Sequence, residues 1–373
     1  MEFGFFVQGY VPASEQRSDP GAEHRVIRED LELCVAADAG GFKYAWMPEH
    51  HFTDEYSHMS ANDVFLGALT ARTERMHLGS GIFNPLPRFN HPAALAERAA
   101  MLDHLSNGRF EFGTGRGSGS QEVVGFYPEF ENANNTREIW EETIGEFAKM
   151  WTQEVYEGFS GKHWSMDARP ILPKPYSKPH PPMWYAAGNP SSFEMAGRMG
   201  LGVLGFAVEG IGPAVKAVEV YKKAIVDAEP VGSYVNDNVL AGVLACFIDE
   251  DRDAARRAFF DSNHSYLVGN AMRYHDQAPK PPGFPEWPQI PPNPDEATLD
   301  MMIEMGAAIV GDPDDVLAQV KRFEETGIDQ LMIGRGANTF EGTKKMIDLV
   351  GAHVIPKLDT DPVHRTTHHR NKA

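Results

Sequence analysis

The chain has 373 residues, 42% hydrophobic and 23% charged, with 35 Gly and 27 Pro. That excludes disorder throughout and suits one large, loop-rich core. Against 34 Lys and Arg stand 53 Asp and Glu, a net charge of −19, so the surface repels nucleic-acid phosphates and anionic lipid.

Strand and helix signals alternate along the whole chain. Phe3–Val7 is a first apolar run, and the spacing of Val26, Leu31, Cys34, Val35 and Ala39 predicts a helix over His24–Ala39. Tyr44–Met47 is a second strand, ended by Pro48, and Asn62–Thr70 a helix with Ser60 as its expected N-cap. A third strand, His77–Ile82, precedes an Ala-rich helix, Pro92–Leu105, with Pro in its first turn. Phe110–Gly113 is a fourth strand, followed by a Gly-rich turn and a long helix over Thr136–Thr152. The next segment, Glu157–Pro182, is aromatic, Pro-rich and aperiodic, an irregular excursion.

Met183–Ala187, Val203–Ala207 and Val239–Ile248 read as strands five to seven, with helices at Ser191–Met199, Gly212–Ala228 and Asp253–Val268. Ala278–Pro294 is a Pro-rich insertion. Asp312–Thr326 is a helix opened by Asp312 and Pro313, Gln330–Ile333 the eighth strand, and Thr343–Ile355 the closing helix. Repeated β-then-α units force parallel pairing, because each crossover needs a helix, and eight of them close into a single (β/α)8 TIM barrel. The expected domain is 1–360, with an insertion at about 271–295, and a polar, frayed tail at 361–373. Two cysteines, Cys34 and Cys246, imply no disulfide scaffold. The opening MEFGFFVQG has no signal-peptide pattern, and no run reaches the ~18 apolar residues of a membrane helix. These features predict a cytoplasmic protein with neither membrane nor nucleic-acid partners.

Barrel enzymes gather function on the loops after each strand. After strand two, Glu49-His50-His51-Phe52 offers a base that titrates near neutrality. Adjacent residues leaving a strand point apart, and no distant Cys or His cluster completes a metal set, so no metal site is expected. After strand three, Gly79-Ser80-Gly81 removes bulk where a flat aromatic cofactor could lie, although a plain tight turn needs the same residues. After strand four, Arg116 stands among glycines (Gly113, Gly115, Gly117, Gly119), where a guanidinium can clamp a phosphate. After strand five, Ala187-Gly188-Asn189-Pro190-Ser191-Ser192 leads into a helix, an anion seat or ordinary N-capping by Asn189 or Ser191.

Together these segments resemble the bacterial-luciferase-like flavin monooxygenases. The likeness rests on WMPEHHFTDEY at 46–56, on LGSGIFNPLPRFNHPAALAERAAMLDHLSNGRFEFGTGRG at 78–117, and on PPMWYAAGNPSSFEMAGRMGLG at 181–202, with the opening MEFGFF and GDPDDVLAQVKRFEETGIDQLMI at 311–333. The resemblance implies reduced FMN, delivered by a separate NAD(P)H-dependent flavin reductase, which reacts with O2 to give a C4a-hydroperoxide that oxygenates a small organic, largely apolar substrate. It makes His50 the active-site base and Ser80-Gly81 a non-prolyl cis peptide beneath the flavin. It makes Arg116, Gly117 and the Ala187–Ser192 turn the cofactor site. Luciferase itself carries an acidic residue at that turn, where this chain has Gly188.

His51, Phe284 and Trp287 are candidates for substrate and lid contacts, the last two on the Pro-rich insertion. The family pairing also implies a homodimer across the helices near Ala61–Arg72 and Ala93–Leu105. Three alternatives stand beside this reading. They are a deazaflavin-dependent hydride-transfer oxidoreductase on the same barrel, a non-catalytic flavin-binding subunit, and a phosphate-binding sugar or amino-acid barrel enzyme. The last needs paired carboxylates or a Schiff-base lysine that strand ends here do not present.

Overall fold

The computed structural model describes residues 1–131, 133–262, 265–276, 280, 282–287, 289–336 and 338–372. Eight parallel strands close into a barrel in chain order: Glu2–Phe6, Tyr44–Met47, His77–Ser80, Phe110–Thr114, Met183–Ala186, Gly202–Phe206, Val239–Val243 and Gln330–Gly334. The first strand pairs with the second and the eighth, Gly4 beside Tyr44 and Met332. All eight expected strands are present within a residue or two of their expected starts.

Why the barrel fills as it does follows from side-chain size. Trp46 and Trp184 meet edge to face inside it, ring centroids 5.2 Å apart. Each indole N–H is satisfied, by Gln330 Oε1 and Glu111 Oε2, both at 2.7 Å. The neighbouring strands make room with glycine: a Cβ on Gly79 would lie 2.2 Å from the Trp46 ring, and one on Gly202 2.6 Å from that of Trp184. With Phe6, Tyr44, Leu204, Leu240 and Met332 the indoles form a dry interior cluster. The larger apolar layer lies between strands and helices.

Three expectations are corrected. Val239–Ile248 is not one strand: the chain leaves the barrel at Leu244, and Ala245–Ile248 pairs instead with Ala308–Gly311 in a separate two-stranded sheet. An unbroken apolar run carries no mark of that exit. The helix over Thr136–Thr152 is broken at Gly145 into Arg137–Ile144 and Glu146–Thr152, and Ser60 does not cap Asn62–Thr70, whose N-cap is Ala61.

Nor is the tail frayed. Helix Arg365–Arg370 closes the N-terminal mouth of the barrel, with Thr366 fully buried and its hydroxyl 2.6 Å from Glu111 Oε1. Arg365 pairs with Asp237 and Asp329, and Lys43 with Glu2 and Asp359. Polar composition suggested solvent, but strand starts around a barrel mouth offer matching polar partners. Among the described residues no helix is long and apolar enough to cross a membrane, and Cys34 and Cys246 are free buried thiols.

Two stability predictions follow. Thr366→Val removes one of two partners of Glu111 Oε1, the other being His77 Nδ1 at 2.7 Å, and should cost about 0.5–1.5 kcal/mol in denaturant unfolding, whereas Thr367→Val should cost less. His180 donates from Nδ1 to Pro181 O and accepts the Ser233 N–H at Nε2, both at 2.8 Å, a pattern only the neutral ring can make. Burial accordingly pushes its pKa down to about 4. Between 6.5 and 4 the unfolded chain binds more protons, so stability falls as pH falls through that window, by up to about 3 kcal/mol from this one ring. The unfolding midpoint measured at pH 7, 6 and 5 should decline, with a shallower slope in His180→Gln.

Candidate active site

The loop leaving strand two meets, in the segment after strand four, one carboxylate that the motif reading did not single out. Glu122 lies in the short helix Ser120–Phe126, directly after the Gly-rich turn. Its Oε1 sits 2.9 Å from His50 Nδ1 and accepts the His51 backbone N–H at 2.7 Å. His50 and Glu122 are both buried, and neither His50 Nε2 nor Glu122 Oε2 has a hydrogen-bond partner among the described residues. The main chain of His50 is pinned by its N–H on Met59 O, 2.9 Å. Two tyrosine rings flank the imidazole, Tyr56 at 5.0 Å and Tyr274 at 4.6 Å, and they stack on each other at 4.8 Å.

Tyr274 ends the π-helix Asn270–Tyr274, which is tied down by Asn270 Nδ2 on the Tyr56 hydroxyl (2.9 Å) and by Arg273 on Asp54 and Gln121. The next residue, His275, is pushed down to about pH 4 by burial, with Lys280 and His50 adding to the effect. The Ser120 hydroxyl is buried without a partner among the described residues. This corner sets a buried imidazole and carboxylate against two tyrosine rings.

His51 packs elsewhere: its Nε2 is 3.1 Å from Glu49 Oε1 and its ring lies against Phe89 and Phe126. Glu49 also accepts the Asn84 N–H and the Asn90 side-chain amide, tying the second loop to the third. Ser80 is fully buried in the barrel wall, its hydroxyl bonded to both the carbonyl (2.8 Å) and the N–H (3.0 Å) of Gly113. The non-prolyl cis bond joins Gly81 to Ile82 rather than Ser80 to Gly81. Strand pairing runs on through Ser80, opposite Met47, so the chain turns only after it. Asn62, another residue the motifs missed, holds the turn by donating to Met47 O and Ile82 O. Beyond it Ile82, Ala186 and Leu244 cap the interior cluster as an apolar floor.

Strands four and five are paired, Thr114 opposite Tyr185, so Arg116 and the Asn189 turn leave the same edge of the rim. Half-buried Arg116 donates to Ala133 O at 2.8 Å and lies near the Tyr185 phenol. Burial raises the Tyr185 pKa, opposed by Arg116 and then by Arg137. Arg137 also reaches Met195 Sδ at 3.4 Å on helix Pro190–Arg198. Two guanidiniums, a phenol and a helix start therefore gather at this edge. Asn189 caps that helix, accepting the Ser192 N–H (3.0 Å) and the Ser191 hydroxyl (2.7 Å), so those side-chain groups are engaged with one another. Gly117 has φ of 74°, and Gly188 has open space where a Cβ would be. Buried Ala187 donates its N–H to Leu204 O.

Phe284 is half-buried and Trp287 exposed, with the Arg273 guanidinium 5.0 Å from the Trp287 ring. The insertion thus touches the same arginine that anchors the π-helix. Residues 277–279, 281 and 288 of the expected lid lie outside the described residues.

Residues 1–330 match the model of the luciferase-like monooxygenases, and the chain belongs to that family. It is 27% identical to limonene 1,2-monooxygenase of Rhodococcus erythropolis over 97% of this chain and 87% of that one. It is 33% identical to the oxygenase component of flavin-dependent trigonelline monooxygenase of Acinetobacter baylyi over 54% of this chain, spanning only about half (53%) of that relative. An F420-dependent glucose-6-phosphate dehydrogenase of Amycolatopsis mediterranei is 24% identical over 90% of this chain and 96% of its own length. The oxygenating constituent of 3,6-diketocamphane monooxygenase from Pseudomonas putida, solved in complex with FMN, shares the fold, with a TM-score of 0.76 at 20% identity over 96% of this chain and 98% of that one.

If Tyr274 screens His50 from solvent, Tyr274→Ala should speed modification of His50 by diethyl pyrocarbonate several-fold, read by peptide mass spectrometry. An unchanged rate would mean that the ring does not cover it.

Proposed function

We propose that this chain is the oxygenase component of a two-component flavin monooxygenase. It would bind FMN reduced by a separate NAD(P)H-dependent flavin reductase and use O2 to oxygenate a small, largely apolar organic molecule. The observation that carries the reading is the rim itself: a cationic edge around Tyr185, an apolar floor beside it, and a buried imidazole with an unused Nε2 across from that edge. The residues fit the cofactor. Arg116, with Arg137 nearby, suits a phosphomonoester, helped by the Ser191 N–H in the first turn of its helix. Ile82, Ala186 and Leu244 suit an isoalloxazine ring.

Bound reduced FMN supplies the two electrons with which one oxygen atom of O2 enters the substrate and the other leaves as water. The chain's own part is to hold the ring, keep water away and move a proton. Tyr56 and Tyr274 exclude water around His50, and desolvation there strengthens every polar contact. His50 Nε2 takes or returns the proton that oxygen transfer requires.

Two unpaired thiols are consistent with a cytoplasmic enzyme. Exposed Val64, Met101 and Leu105 on the two Ala-rich helices favour a homodimer across that face.

Removing one charge-assisted contact is worth about 1.5–3 kcal/mol, so Arg116→Ala should weaken FMN by about 10- to 100-fold and leave riboflavin almost unchanged. Equal weakening of both would rule out the phosphate contact. His50→Ala should keep FMN affinity but divert reduced flavin to hydrogen peroxide. The similarity to an F420-dependent dehydrogenase favours one rival, hydride transfer from a deazaflavin. Oxygen uptake with reduced FMN, set against substrate-dependent oxidation of reduced F420, separates the two.

A further inference from the structure

We infer that Glu122 is a positioning residue that fixes His50 as the Nδ1–H tautomer and so presents Nε2 to the ligand as a bare lone pair. Two donors meet on a single carboxylate oxygen, Oε1: His50 Nδ1 at 2.9 Å and the His51 N–H at 2.7 Å. The second of these is a backbone N–H and can only donate, so Oε1 is held as an acceptor. The imidazole nitrogen facing that atom must then carry the proton, which in the neutral ring leaves the opposite nitrogen without one.

Ring rotation offers no escape. The His50 main chain is bonded to Met59 O, and Tyr56 and Tyr274 stand at 63° and 77° to the imidazole on its flanks. Flipping the ring would set a carbon against the carboxylate in a buried site, leaving that oxygen short of a donor at a cost of about 1–3 kcal/mol. Adjacent residues of one turn, His50 through its side chain and His51 through its backbone, thereby read the same atom of a residue 72 and 71 positions further on. The role as a proton acceptor toward the reaction rests on the proposed function; the tautomer does not.

The amide of Glu122→Gln can keep an oxygen at the doubly bonded position, because the His51 N–H demands an acceptor there. That variant should preserve the arrangement, and Glu122→Ala should abolish it. With histidine ring nitrogens labelled in the flavin-free protein at alkaline pH, long-range 1H–15N correlation spectra report the tautomer, His50 being assigned by its loss in His50→Gln. The expected result is the Nδ1–H form in wild type and Glu122→Gln, and a shift toward Nε2–H in Glu122→Ala. An Nε2–H ring in the wild-type protein, a measurement that needs no variant to fold, would overturn the inference. So would an unchanged Nδ1–H ring in folded Glu122→Ala.

In turnover with reduced FMN, Glu122→Ala should lower kcat by about 10- to 100-fold at unaltered FMN affinity, with recovery in Glu122→Gln. A protein that never oxygenates yet shows the expected tautomers would sink the functional reading and leave the positioning intact.

Discussion

The exchange of indole for glycine inside the barrel is the constraint on which the rest of the structure depends. Trp46 and Trp184 occupy volume that Gly79 and Gly202 leave empty on adjacent strands. Interiors pack near crystal density, so neither partner of such an exchange can change alone. The indoles fill the middle of the barrel, and Ile82, Ala186 and Leu244 pack over them. The indole N–H groups are answered by Gln330 and Glu111 from below, where Thr366 of the terminal helix also reaches Glu111. Burial raises the Glu111 carboxyl to about pH 8, and short hydrogen bonds from Trp184 and Thr366 hold it beside the Lys43–Glu2 ion pair of the same mouth.

Above that floor the rim separates two kinds of chemistry. On the edge shared by strands four and five, Arg116 sets positive charge near Tyr185 within a protein of net charge −19, while Arg137 beside it is paired with Glu141 at 2.7 Å. Local geometry outweighs the global sum because exposed charges beyond about 10 Å are screened at ordinary ionic strength. Toward strands two and three the carboxylate of Glu122 organises His50 and His51 together, and Glu49 ties the neighbouring loop through Asn84 and Asn90. Carboxylates here act as internal staples between loops that leave different strands.

Proline content and aromatic side chains draw attention to Phe284 and Trp287, yet in the insertion expected at about 271–295 the ring against the imidazole is Tyr274, on a π-helical turn at its start, with Tyr56 on the other flank. A turn of five residues is too short for any hydrophobic period to register. Its position follows from contacts with Tyr56, Asp54 and Gln121, all far away in sequence.

The sequence by itself determined the barrel: eight apolar runs separated by helical periods, each strand and helix short enough to be written in local pattern, with His50, Arg116 and Asn189 on the loops where a barrel puts its chemistry. It also carried the family likeness in contiguous blocks. Tertiary structure alone decided that Glu122 meets His50, that the cis bond follows Gly81, that the seventh strand ends at Val243, and that the polar tail docks under the barrel. The physical reason is common to all four. Periodicity records which side of an element is buried, whereas the partner of a hydrogen bond is fixed only when closure of the barrel brings distant loops within 3 Å of one another.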